Sequence, residues 1–160
     1  MNKILLFDWG NTIMVDFDLP GPMYTWEKVT WVKGAENAMK TIYGNGCCIA
    51  TNAGESNSDA VRKALARIGA DIYFTYIFTS WDIGFEKPDI RFFQFIIRKF
   101  NGAPTDFIMI GDNYKKDIEG AKSSGMNAIL FNPENQEGPF PLADWVITDM
   151  NQLPSIIERL

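Results

Sequence analysis

Short apolar runs alternate with amphipathic segments from one end of this chain to the other, and that alternation leaves few folds open. Residues 4–8, 47–51, 76–79, 107–111, 128–131 and 145–147 read as strands. Residues 35–43, 58–68, 89–100, 114–124 and 150–160 read as helices, with Ile90, Phe93 and Ile97 on one face of the third. Strands separated by helices predict an α/β fold with a mainly parallel sheet covered on both faces. In such sheets ligands sit beyond the carboxyl ends of the strands, which is where Asp8, Thr51 and Asp112 fall.

Length and composition narrow the class further. The 160 residues are enough for one domain, residues 1–160, with a sizeable core. With 46% hydrophobic and 22% charged residues the chain is neither disordered nor membrane-like, and its apolar runs are too short to span a bilayer. Lys3 is followed by only Ile4–Phe7 before Asp8, which is too little for a signal peptide, so a cytoplasmic location is expected. A net charge of −5 argues against a general nucleic-acid surface. Cys47 and Cys48 are adjacent in a strand pattern, point to opposite faces and are expected to pack as small hydrophobes. The absence of histidine removes imidazole acid–base catalysis, Ser-His triads and His-ligated zinc. Any catalysis must use Asp, Lys, hydroxyls, backbone groups and metal.

Four local features converge on the predicted sheet edge. Ile4-Leu5-Leu6-Phe7 delivers Asp8 into a turn, and a carboxylate beside apolar residues needs a cation to offset its lost solvation. Ile49-Ala50-Thr51-Asn52 ends a strand with a hydroxyl and an amide, which together with backbone N–H groups suit a phosphate oxygen. Lys87 precedes Pro88 just before a helix. Ile110-Gly111-Asp112-Asn113 ends another strand with a second carboxylate, and Asp117 follows five residues after Asp112. Each of the middle two has an ordinary reading as a turn or as a solvated loop cation. Their joint occurrence does not.

In this order the motifs resemble the haloacid dehalogenase-like superfamily across essentially the whole chain, and Gly120-Ala121 with Gly125 is similar to that family's helix after the fourth motif. The resemblance implies a Rossmann-like three-layer α/β/α sandwich. It also implies Asp8 as nucleophile, Thr51 as phosphate-binding hydroxyl, Lys87 as charge-stabilising lysine, and Asp112 as a magnesium ligand together with Asp8 and the Gly10 carbonyl. Asn52 would join the phosphate cradle, with Asn113 and Asp117 in support. Mg²⁺ prefers oxygen ligands and bridges carboxylates to phosphate, so its choice fits the donor set. An aspartyl-phosphate on Asp8 would form and then be opened by water.

Position 10 departs from the pattern. Most phosphatases of the family carry a general acid–base Asp two residues after the nucleophile, and this chain has Gly10. Such a group contributes about 10²- to 10⁴-fold. A slow phosphatase, or one restricted to good leaving groups, is therefore expected. Two alternatives stay open: an inactive relative that binds phosphate, and a phosphonatase suggested by the similarity of Asp8-Trp9-Gly10 to an Asp-Trp-Ala pattern.

No large cap domain is expected, because neither usual insertion point carries spare length. An open site suits a large phosphorylated substrate, or a lid from a neighbouring subunit in a homo-oligomer. The aromatic connection from Phe17 to Trp31 could line a leaving-group pocket, meet a partner, or cover the core.

Overall fold

Among residues 3–44 and 46–160, which the computed structural model describes, six strands form one sheet. They are β1 (Ile4–Phe7), β2 (Gly46–Thr51), β3 (Tyr76–Thr79), β4 (Phe107–Gly111), β5 (Asn127–Phe131) and β6 (Trp145–Ile147). Their order is β3-β2-β1-β4-β5-β6, and every neighbouring pair is parallel. The helices between them are α1 (Ala35–Ile42), α2 (Ser58–Ala66), α3 (Ser80–Ile83), α4 (Ile90–Phe100), α5 (Gly120–Ser123) and α6 (Leu153–Ile157).

Period-two alternation along the strands divides the core into two layers. Leu5, Phe7, Cys47, Ile49, Ile108 and Ile110 face one side, where α1, α2 and α6 cover them with Met39, Leu65 and Leu153 among others. Leu6, Cys48, Ala50 and Met109 face the other, under Phe92, Phe93 and Ile96 of α4 and Ala121 of α5. Cys47 and Cys48 thus lie on opposite faces as buried thiols. Burial pushes them up to about 12 and about 11, so both are inert packing groups at neutral pH. Leu5, Leu6 and Phe7 are fully buried, at about 1.5–3 kcal/mol of hydrophobic stabilisation each. Strand β1 is consequently the rigid centre from which Asp8 projects.

Local capping sets where the helices begin. The Asn57 side chain accepts from Ala60 N–H at 2.9 Å to start α2, and Asp89 accepts from Arg91 N–H at 2.9 Å to start α4. Helix α4 ends at Asn101, whose φ of 51° is left-handed.

Three sequence expectations need correction. The buried face of α4 carries Phe92, Phe93 and Ile96, while Ile90 is 40% exposed. With apolar side chains at seven of its eleven positions, periodicity alone does not choose the stripe. Residues 114–124 are not one α-helix: Tyr114–Glu119 form a wide π-type turn that tightens into α5. Residues 150–160 begin as a 3₁₀ turn over Met150–Gln152, capped by Asp149, before α6.

Strand order reverses on either side of β1, with β2 and β3 to one side and β4 to β6 to the other. That reversal opens a crevice at the carboxyl ends of β1 and β4.

Candidate active site

Asp8 leaves β1 at this crevice, with its backbone N–H held by Ile110 O at 2.9 Å. The sheet register places Thr51 at the end of β2 and Asp112 immediately after β4, so three strands bring their polar termini to one edge. Thr51 is buried, 3% exposed, and both it and Asp112 line a cleft of about 550 Å³ with Asp8 and Lys87.

Lys87 is the organising cation. Its side chain is 2% exposed, and Nζ donates to Asp8 Oδ1 at 2.9 Å, Asp117 Oδ1 at 2.7 Å and Ala50 O at 2.7 Å. All three ammonium donors are therefore engaged, which fixes the head group. The backbone is fixed too: Asn52 Nδ2 donates to Lys87 O at 2.8 Å, and Lys87 N–H donates to Asn52 Oδ1 at 2.8 Å. Asn52 thus positions the lysine through its side chain, leaving its backbone amide as the group that could meet a phosphate. Burial alone would lower the Lys87 ammonium, but the neighbouring Asp117 and Asp8 charges and hydrogen bonds outweigh it, and the net shift is upward.

Asp117 is 1% exposed and holds the lysine from below. Its Oδ2 accepts from Asn113 N–H at 3.0 Å, and Asn113 in turn caps the following turn by accepting from Lys116 N–H at 2.9 Å. Gly111 makes this possible, because a Cβ there would overlap the Asp117 carboxylate. Asp112 Oδ1 accepts from the buried Thr12 hydroxyl at 3.3 Å, a contact with no signal in the sequence.

Carboxylate oxygens of Asp8, Asp112 and Asp117 all lie within 4.8 Å of one another, against one ammonium group. Burial, with the neighbouring carboxylates, appears as upward pKa shifts. Burial, then Asp8 and Asp117, push Asp112 up to about 7. Burial also carries Asp117 up to about 6, against the pull of Lys87. An oxygen-rich anionic cluster with surplus charge is what a hard divalent cation would relieve.

The Phe17–Trp31 connection folds back as a wall of the same cleft. Trp9 O accepts from Ile13 N–H at 2.9 Å and Met14 N–H at 3.1 Å, turning the chain immediately after the strand. Met23 and Trp26 are 6% and 8% exposed, pack into the core and line the cleft, so lining and core-covering roles coincide. Arg67 of the α2 C-cap donates to the carbonyls of Tyr24, Trp26 and Glu27, and Trp31 Nε1 donates to Ile68 O at 3.1 Å. These tethers hold the wall to α2. Sequence reasoning also missed Asp16 and Lys116, which line the cleft without a motif to mark them. Among the described residues no helix is long and apolar enough to cross a membrane.

Comparison with known proteins places the sequence and the fold among relatives. The profile of a family described as "Haloacid dehalogenase-like hydrolase" matches residues 23–131. A glyceraldehyde 3-phosphate phosphatase from Methanothermobacter thermautotrophicus is 36% identical over 101 residues, covering 59% of this chain and 45% of the relative. A ribulose-1,5-bisphosphate 5-phosphatase from Halopiger xanaduensis is 26% identical over 123 residues, covering 77% and 51%. The chain spans about half the length of these curated relatives. Among solved structures, an uncharacterized protein from Listeria monocytogenes serotype 4b aligns with a TM-score of 0.84 at 25% identity, over 99% of both chains. A phosphatase from Thermococcus onnurineus aligns with a TM-score of 0.81 at 20% identity, over 97% of both. With the profile covering most of its length and the site at the expected sheet edge, the chain belongs to the haloacid dehalogenase-like hydrolase family.

Proposed function

We propose that this protein is a magnesium-dependent phosphohydrolase that works through an aspartyl-phosphate on Asp8. The observation that carries this reading is the Lys87 ammonium, buried and held 2.9 Å from Asp8 and 2.7 Å from Asp117. A cation so placed offsets the repulsion between an attacking carboxylate and a phosphate dianion. The same contact fixes the Asp8 side chain in the lining of the cleft.

The residues fit a magnesium ion, since the clustered groups are carboxylate oxygens and their charge exceeds what Lys87 balances. Asp8, Asp112 and the Gly10 carbonyl would hold it, and when bound it would neutralise phosphate charge. Thr51, the Asn52 amide and Lys87 would hold the non-bridging oxygens. Asp117 and Asn113 act one step back by keeping Lys87 and the turn after Asp112 in place. Attack by Asp8 on phosphorus breaks the bond to the leaving oxygen, and water then opens the acyl phosphate.

Gly10 itself offers the leaving group no proton. Met23 and Trp26 offer an apolar wall beside the reacting centre for the organic part of a phosphomonoester. Release of phosphate from a panel of esters, with magnesium present and with it chelated, tests the reading. Magnesium-dependent turnover abolished by Asp8→Asn is expected. Binding of phosphate without turnover on any ester would replace the enzyme by a non-catalytic phosphate-binding protein.

A further inference from the structure

We propose that Asp16 is the acid–base carboxylate that position 10 lacks; the inference rests on the phosphohydrolase reading and concerns the proton it requires. The direction in which a side chain would leave Gly10 leads to Asp16. A Cβ built on Gly10 would lie 3.5 Å from Asp16 Cβ and 3.6 Å from Asp16 Oδ2. A carboxylate from eight residues beyond the nucleophile therefore lies beside the space that a residue-10 side chain would enter. Both Asp16 and Gly10 line the cleft that contains Asp8.

The turn after β1 holds Asp16 in that position. Asn11 takes a left-handed φ of 60°, and its Oδ1 accepts from Asp16 N–H at 2.9 Å. The Asp16 carboxylate accepts from Asp18 N–H through Oδ1 at 2.8 Å. Its Oδ2, the oxygen nearer Gly10, has no hydrogen-bond partner among the described residues. Asp8, Asp112 and Asp117 are drawn together in the cluster around Lys87, whereas Asp16 is exposed and makes no ion pair among the described residues. Asp18 also lines the cleft, but it is not among the atoms that approach position 10.

In the first step an Asp8 oxygen bonds to phosphorus, the phosphorus bond to the leaving oxygen breaks, and the Asp16 carboxyl proton passes to that oxygen. In the second step the Asp16 carboxylate takes a proton from water as the water oxygen attacks phosphorus. The bond from phosphorus to Asp8 then breaks, releasing phosphate and restoring the Asp8 carboxylate and the Asp16 carboxyl group. The sum is ester plus water to alcohol plus phosphate.

The test compares an alkyl phosphate, whose leaving group needs the proton, with p-nitrophenyl phosphate, whose leaving group does not. Wild type, Asp16→Asn, Asp18→Asn, Asp8→Asn and the double variant Gly10→Asp/Asp16→Asn are assayed with magnesium, and their folding is checked by circular dichroism. Asp16→Asn is expected to lose about 10²- to 10⁴-fold in kcat on the alkyl ester and far less in the first step on p-nitrophenyl phosphate. Asp18→Asn is expected to stay near wild type. The double variant is expected to recover at least ~10-fold on the alkyl ester, because an Asp at position 10 would place a carboxyl group next to residue 16. Equal loss on both esters in that first step, or no loss on either, overturns the assignment even when Asp8→Asn is inactive. Turnover by Asp8→Asn overturns the underlying phosphohydrolase reading itself.

Discussion

Replacing Lys87 with Met keeps the length of a side chain that is 2% exposed and removes its charge from between two carboxylates. The Asp117 carboxylate, 1% exposed, loses its cation with no solvent to replace it, and Ala50 O loses its 2.7 Å donor. Removing one partner of a buried ion pair costs about 3–5 kcal/mol. Asp8 is 14% exposed and regains some hydration, and the thioether buries well, so the lower end of that range, about 3 kcal/mol, is expected. For a domain of this size that corresponds to a fall in Tm of roughly 6–12 °C. Urea unfolding in chelator at pH 8 and at pH 5 measures it. Burial already raises Asp117 to about 6 with the lysine present, and loss of the lysine raises it further. A carboxyl whose folded pKa exceeds its unfolded value destabilises the ionised protein and ceases to do so as pH falls through the folded pKa. The deficit of Lys87→Met is therefore expected to shrink at pH 5. A loss under 1 kcal/mol at pH 8, or one that grows on acidification, would refute the view that Lys87 neutralises a buried carboxylate cluster.

Two further expectations follow from the same cluster. In wild-type protein without metal, Asp112 at about 7 and Asp117 at about 6 bind protons in the folded state that the unfolded chain has lost above about pH 4. Their contribution to stability falls as pH rises from about 4 to 7, so the metal-free protein should melt lower at pH 8 than at pH 5.5, and magnesium should raise the pH 8 melting point; a metal-free protein that gains stability over this range contradicts the assignment. Gly111→Ala should cost about 3 kcal/mol in urea unfolding and abolish phosphate release, because its Cβ would displace Asp117 from Lys87; wild-type stability in this variant would show that the cluster tolerates the shift.

The residues at the strand ends were legible in the sequence because their signals are local. Asp8 after Ile4–Phe7 and Gly111-Asp112 after Phe107–Ile110 each announce a polar group leaving an apolar strand, and a parallel sheet places all such ends on one edge. Element types followed from periodicity, and Asn57 and Asp89 start helices by side-chain bonds that span two or three residues. Where apolar residues are too dense for a period to stand out, as in α4, the structure decides which of them are buried: Phe93 of the Ile90-Phe93-Ile97 row is, and Ile90 is not. The wide turn at Tyr114–Glu119 was missed as well, since it forms around the Asp117 carboxylate reaching back to Asn113 N–H and Lys87.

What the sequence alone determined, then, was the alternation of strands and helices and the sheet edge at which Asp8, Thr51 and Asp112 stand. The tertiary structure decided how these groups compensate one another. Lys87 reaches Asp8 across 79 positions, and Thr12 reaches Asp112 across 100, distances over which no local pattern operates. It also decided what stands beside Gly10. The backbone turn at Asn11 carries Asp16 back toward Gly10, and only the folded path of that turn brings the two together.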